Sequence, residues 1–392
     1  MAERGDGSAQ DIHQPSKKTK SEVWAYFGFL KNAEGQLIED GYPVCRTCRK
    51  QVSAEGSNTS NLMAHLRDDH PRLYSQCKET AKMPQPRLML VITGDDFGYC
   101  PRRNQGIVDC FLAGGISNVS LLVNGSAAKE AADLAKRYQI PIGLHANLSE
   151  GTPVGQNLQQ ASTLINPQGF FLGKVGIRQA LERGQLSMTQ VELELRAQVR
   201  RFMVLTGHLP YHMDGHQHVH VLPDIREVFA QVLSDLRIPY TRVPVEPGLH
   251  SCTWLPAHLQ TFYKQVEKDA LNSIPIFKHY RIRWPDVYLG LTTMGQNMSS
   301  ASLQRALKQA LAAGPSDSTS KSLSGLHPAV VTAELMVHPG YPSYTQEGGC
   351  GGGPDDFSQS SDREHELGML TEPSVQELYR RERVQLCGFK DL

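Results

Sequence analysis

From Leu88 onward the chain repeats one texture: a short apolar run, then a longer amphipathic stretch. Runs of four to six apolar residues spaced by helical patterns constrain a fold to α/β architecture with a parallel sheet. The run LMLVIT (Leu88 to Thr93) is the strongest buried strand. SLLV (Ser120 to Val123), IPIGLH (Ile140 to His145), YHMD (Tyr211 to Asp214), PYTRV (Pro239 to Val243) and AELMVH (Ala333 to His338) follow as strands. Between them, Thr189 and Glu192 read as a capping box above an apolar stripe of Val191, Leu195, Val199 and Phe202. Gly207 should end that helix. A further helix should follow Pro223 and bury Ile225, Val228, Phe229, Val232 and Leu236.

With 392 residues the chain has room for two domains. Residues 1–20 read as a disordered tail, 21–71 as a small Cys/His unit, 72–86 as a linker with Pro84 and Pro86, and 87–392 as the α/β domain. Two Gly/Ser-rich polar stretches, 313–326 and 346–366, read as mobile inserts. Lys plus Arg number 40 against 40 Asp plus Glu, so any contact with a polyanion must come from a local patch. The tail has no apolar core of a secretory signal, and no run of about 18 apolar residues could span a bilayer. A soluble, intracellular protein is expected, cytoplasmic and/or nuclear, with KKTK (Lys17 to Lys20) as the nuclear signal. Eight cysteines with a single CxxC pair point to metal binding in a reducing compartment rather than to disulfides.

Cys45 and Cys48, followed by His65 and His70, offer two thiolates and two imidazoles, the donor set of a tetrahedral structural zinc. So short a unit buries too little surface to fold without such an ion. The two histidines lie five positions apart on the helical stretch before Pro71, so its last turn must loosen to bring His70 round. Trp24, Phe27, the long gap between Cys48 and His65, and the segment TSNLMAHLRDDHP together resemble the BED-type zinc finger over residues 21–71. That resemblance implies zinc on Cys45, Cys48, His65 and His70, and DNA as a partner. Lys31, Arg46, Arg49, Lys50 and Arg67 could meet phosphate, offset by Glu34, Glu39, Asp40, Asp68 and Asp69.

Four strand ends in the larger domain carry Asp or His. TGDDFG places Asp95 and Asp96 after the first strand, and GLHANL places His145 at the end of another. HMDGHQHVHVLP gathers His212, His216, His218 and His220 around Asp214; alternation would put the last three histidines on one face. ELMVHPGYP ends a strand in His338. Polar groups at successive strand ends suggest a barrel-like sheet with an active site at its C-terminal face.

The motifs DDFGYCPRRNQGI, NVSLLVNG, IGLHANLSEGTP, DGHQHVHVLP and MVHPGY, in this order from about residue 87 to the C-terminus, closely resemble the YdjC-like deacetylases. The resemblance implies a distorted TIM-like (β/α) barrel related to polysaccharide deacetylases. It implies Asp95 as catalytic base, a divalent ion on Asp96, His145 and His216, and His338 as donor of a proton to the leaving group. Magnesium is the first expectation for that ion and zinc the second, because imidazole is softer than magnesium prefers. The expected reaction is metal-dependent removal of acetyl groups from an acetylated carbohydrate, an N-acetyl amino sugar first. Two other readings stand beside it: a DNA-binding adaptor with an inactive hydrolase-like domain, and a metal-dependent phosphoesterase, which would need a second metal.

Overall fold

The structure, a computed structural model, describes residues 11–15, 21–32, 34–39, 42–54, 59–82, 87–158, 162–314 and 330–392. The KKTK run, most of the tail and nearly all of the 313–326 insert lie outside the described residues. The chain divides into two compact units, Met1–Gln85 and Pro86–Leu392. Among the described residues no helix is long and apolar enough to cross a membrane.

In the first unit, β1 (Phe27–Gly28) pairs antiparallel with β2 (Val44–Cys45), and two helices follow, α1 (Ser60–Asp69) and α2 (Pro71–Lys82). Trp24, Phe27 and Phe29 pack on Leu62, Leu66 and Cys77 in one small core. At Gly28 a side chain would strike the His13 carbonyl oxygen at 2.2 Å, so the strand tolerates only glycine there. The linker reading of 72–86 needs correction. Pro71 opens a helix rather than ending order, because the first helical position has no hydrogen bond for its missing N–H to break. Leu73, Tyr74 and Cys77 of that helix join the core.

In the second unit seven strands form one sheet: β3 (Leu88–Phe97), β4 (Asn118–Leu121), β5 (Ile142–Ala146), β6 (Met213–Gly215), β7 (Val287–Leu289), β8 (Val331–Val337) and β9 (Val384–Leu386). Their order is β6-β5-β4-β3-β8-β7, with β9 beside the first half of β3, and every pairing is parallel. Single parallel bridges from His212 to Tyr240 and from Tyr240 to Arg283 carry the β6 edge round toward β7. The sheet therefore curls into a distorted (β/α) barrel. Tyr240 is all that PYTRV contributes to it: Pro239 and Pro244 lack the N–H a longer ladder requires. The three-residue strands β7 and β9 fall below what an apolar-run reading can detect.

Helices α3 (Pro101–Leu112), α4 (Ala128–Tyr138), α5 (Gly173–Glu182), α6 (Met188–Thr206), α7 (Ile225–Leu236), α8 (Ala257–His279) and α9 (Ser300–Ala313) connect these strands. Short α10 (Asp356–Gln359) then leads to α11 (Asp362–Thr371) and α12 (Pro373–Glu382). The Thr189/Glu192 capping box is not what starts α6. The cap is Ser187, whose side chain accepts the Gln190 N–H, and Glu192 instead pairs with Arg196 at 2.8 Å. Gly207 ends the helix in left-handed geometry, as expected.

The 346–366 stretch is also corrected. It is packed against the strand ends rather than left as a loose loop. The Ser126 N–H donates to the Gly349 carbonyl and the Thr152 N–H to that of Cys350, which is buried. Positive φ at Gly348, Gly349, Gly351 and Gly353 lets this segment lie flat on the 98–100 and 151–152 turns. Polar composition suggested mobility; glycine here permits close approach instead.

Candidate active site and zinc centre

In the small unit the four expected zinc donors converge, all their ligand atoms lying within 4.8 Å of one another. Cys48 Sγ is 3.3 Å from His65 Nε2 and Cys45 Sγ is 3.6 Å from His70 Nε2. Tetrahedral zinc would set such sulfur and nitrogen atoms about 3.6 Å apart. The expected loosening occurs: α1 ends at Asp69, and His70 has φ −138° and ψ 61°. Asp69 stands 3.1 Å behind His65 Nδ1 and fixes that ring. Cys48→Ser should remove the ion's hold on this unit. Amide exchange along 60–69 is expected to lose protection, while the β3 amides keep theirs.

In the large unit the strand ends supply the site. β3 carries both aspartates, and Asp96 has φ +63°, a left-handed turn that swings its carboxylate away from that of Asp95. The pairing register of β3 with β4 shifts between Gly94 and Phe97, which makes room for that turn. β5 presents His145. β6 presents Asp214 and leads into a 3-10 turn, His216–Val221, which opens with His216.

Asp96, His145 and His216 come together, each buried, with one ligand atom from each within 4.8 Å of the others. Asp96 Oδ1 lies 3.1 Å from His216 Nδ1 and 3.6 Å from His145 Nε2. A divalent ion with metal–ligand bonds near 2.1 Å would space its ligand atoms about 2.9–3.4 Å apart. One carboxylate oxygen and two imidazole nitrogens are a donor set for such an ion, and the far side of each ring is held. His145 Nδ1 sits 2.6 Å from Asp214 Oδ1, which also accepts from the Ser120 hydroxyl, and His216 Nε2 sits 2.9 Å from Glu150 Oε2. A carboxylate behind each imidazole fixes its tautomer and raises its basicity. Burial pushes the Asp96 carboxyl up, but Arg363 and His216 outweigh it and hold it well below the usual range.

Asp95 is oriented by a buried fork. Arg242 Nη1 and Nη2 donate to its two oxygens at 2.7 and 2.9 Å, and the same guanidinium reaches Asp214 at 3.0 Å and Glu334 at 2.8 Å. His338 follows β8, with its backbone N–H donating to Glu366 Oε2 at 2.5 Å. Burial and the nearby Arg363 cation push its imidazole well below the usual range, so the ring is neutral. A cavity of about 610 Å³ opens over Asp95, Asp96, His145, His216 and His338.

The expected face of three histidines does not form. Gln217 and His218 adopt positive φ, so the segment turns instead of extending, and strand alternation fails. His218 lines the cavity, whereas His220 Nε2 turns away to the Arg242 carbonyl oxygen at 2.9 Å. His212 stacks on Phe389. Sequence reasoning missed Arg242, Arg363, Glu150 and Glu366. A charge inside an apolar run was visible for Arg242, and Glu150 sits inside the motif IGLHANLSEGTP; nothing local marks Arg363 or Glu366.

Residues 89–381 match the family model of YdjC-like protein, and residues 21–71 that of the BED zinc finger. The carbohydrate deacetylase of Danio rerio is 65% identical over 313 residues, covering 79% of this chain and 100% of that one. The carbohydrate deacetylase of Homo sapiens is 49% identical over 310 residues, covering 79% and 93%. A chitooligosaccharide deacetylase of Serratia marcescens is 40% identical over 147 residues, 36% of this chain and 56% of its own. A solved Enterococcus faecalis structure, described as a cellobiose-phosphate cleavage protein, superposes with a TM-score of 0.53 at 19% identity. It covers 78% of this chain and 99% of its own, a likeness of fold alone. With a family match across most of its length, and whole-length relatives at such identity, the chain belongs to the YdjC-like protein family.

Proposed function

We propose that the chain is a metal-dependent deacetylase that removes acetyl groups from acetylated carbohydrates, N-acetyl amino sugars first. The observation that carries this reading is the convergence of Asp96, His145 and His216 beside an Arg242-held Asp95 in one cavity. A divalent ion on the three donors, magnesium first and zinc second, supplies a Lewis acid for the acetyl carbonyl and lowers the pKa of water. Asp95 takes the proton from the attacking water, its carboxylate aimed by the two Arg242 hydrogen bonds. His338, neutral at rest, gains proton affinity as negative charge develops beside it, takes up a proton from solvent and hands it to the departing sugar nitrogen or oxygen, while Asp95 returns the proton it took from water to solvent as acetate leaves. Acetate and the deacetylated sugar leave.

Two rival readings find less support. A two-metal phosphoesterase needs a second donor set. Among the described residues the other carboxylate–histidine group, Asp95, His145 and Asp214, shares His145 with the first, and its two carboxylates are bound by Arg242. An inactive adaptor would tolerate loss of the site residues, yet Asp95, Asp96, His145, His216 and His338 are all present. For the finger, the family match supports DNA as a partner. Lys50 and Arg67 are paired with Asp69 and Asp68, so phosphate contact there must compete with those carboxylates.

Diacetylchitobiose incubated with the full chain should release acetate only while a divalent ion is present. Chelation should abolish release and added magnesium restore it, whereas p-nitrophenyl phosphate should remain intact. Phosphate release without acetate release would replace this reading with the phosphoesterase.

A further inference from the structure

Arg363, the second residue of α11, is 2% exposed and reaches the carboxylate expected to bind the ion. Its Nη2 donates to Asp96 Oδ2 at 2.9 Å, and its guanidinium lies over the Phe357 ring at 3.9 Å. Arg103, fully buried, brings Nη1 to 3.7 Å from the same oxygen. It passes Gly340 so closely that a side chain there would meet Arg103 Cδ at 2.6 Å. Two guanidinium groups thus crowd Oδ2, while among the described residues no donor is aligned on Oδ1, which faces His145 and His216. Among the described residues Nε and Nη1 of Arg363 have no hydrogen-bond partner, so a buried cation is retained here for a single carboxylate contact. Burying a guanidinium with donors unsatisfied is costly, which argues that this contact has a purpose.

We propose that Arg363 is a positioning residue for the metal site: by occupying Asp96 Oδ2 it leaves Oδ1 as the one oxygen offered to the ion. This rests on the reading that Asp96, His145 and His216 hold a divalent ion. A carboxylate free to turn could chelate with both oxygens and take a coordination position that water or the acetyl carbonyl requires. Arg363 prevents the turn with a planar fork stacked on Phe357, which an ammonium group cannot reproduce. The stretch expected to be a loose insert therefore completes the site, with Arg363 behind Asp96 and Glu366 behind the backbone of His338.

Manganese binding to the full chain carrying one equivalent of zinc, enough for its finger alone, read from loss of the free-ion electron paramagnetic resonance signal, tests this. Arg363→Met should weaken binding about 10–100-fold, as loss of outer-shell support does, and Arg363→Lys should recover only part. In an Asp96→Asn background Arg363→Met should cause no further loss. Unchanged manganese affinity in folded Arg363→Met overturns the inference. Should that variant not fold, wild-type affinity in Arg363→Lys does so, as does an additional loss in the Asp96→Asn background. A wild-type chain with no manganese site sensitive to His216→Ala overturns the underlying metal reading instead.

Discussion

Asp95→Asn is expected to lower kcat for acetate release by roughly 10²–10⁴-fold, the usual contribution of a positioned general base. An amide of the same shape cannot take a proton from water, but it occupies the same place between Arg242 and the cavity. Substrate affinity draws on the rest of the cavity, so KM should change little and the loss should sit in kcat. Manganese affinity should stay near that of the wild type, because Asp95 is not one of the three donors that converge, Asp96, His145 and His216. A kcat within tenfold of the wild type would remove Asp95 from the proton-transfer step. A matching collapse of metal affinity would make it a ligand.

Arg242→Met is expected to give the largest stability loss of any single substitution around the site. One buried guanidinium serves three buried carboxylates, Asp95, Asp214 and Glu334. Removing one partner of a buried ionic cluster costs about 3–5 kcal/mol, a large part of the roughly 5–15 kcal/mol that holds a domain folded. Melting temperature should fall by on the order of 10 °C. The deficit should also depend on pH. In the wild type burial pushes the Asp214 carboxyl up, but Arg242 leads the charges that hold it well below the usual range. Burial already raises the Glu334 carboxyl in the wild type; without Arg242 it rises further, and Asp214 loses the largest charge that holds it down. A raised carboxyl contributes stability below its unfolded pKa and loses it as pH climbs through its folded pKa. The variant should therefore lie closest to wild type near pH 5 and furthest from it near pH 8. A deficit that widens toward acid, measured by denaturant unfolding at both pH values, would contradict this account of the cluster.

The amino-acid sequence by itself determined what local pattern can determine. Apolar runs alternating with helical stretches set a parallel α/β sheet, because strand burial and helix periodicity are properties of neighbouring residues. Asp95, Asp96, His145, His216 and His338 were legible because each ends or follows a strand, and parallel strands deliver their ends to one side. Cys45, Cys48, His65 and His70 were legible for a similar reason, since tetrahedral zinc imposes its spacing on a short segment.

The family resemblance had singled out His216; only the tertiary structure showed that His220 turns away from the site, since positive φ at Gln217 and His218 cancels the strand alternation. It alone brought Arg242 and Arg363 to the two aspartates, across 147 residues for Arg242 and 267 for Arg363. It also turned a glycine-rich stretch into packed structure against the strand ends. Charge pairing inside a protein depends on distance and burial in space, and neither is written in the order of residues along the chain.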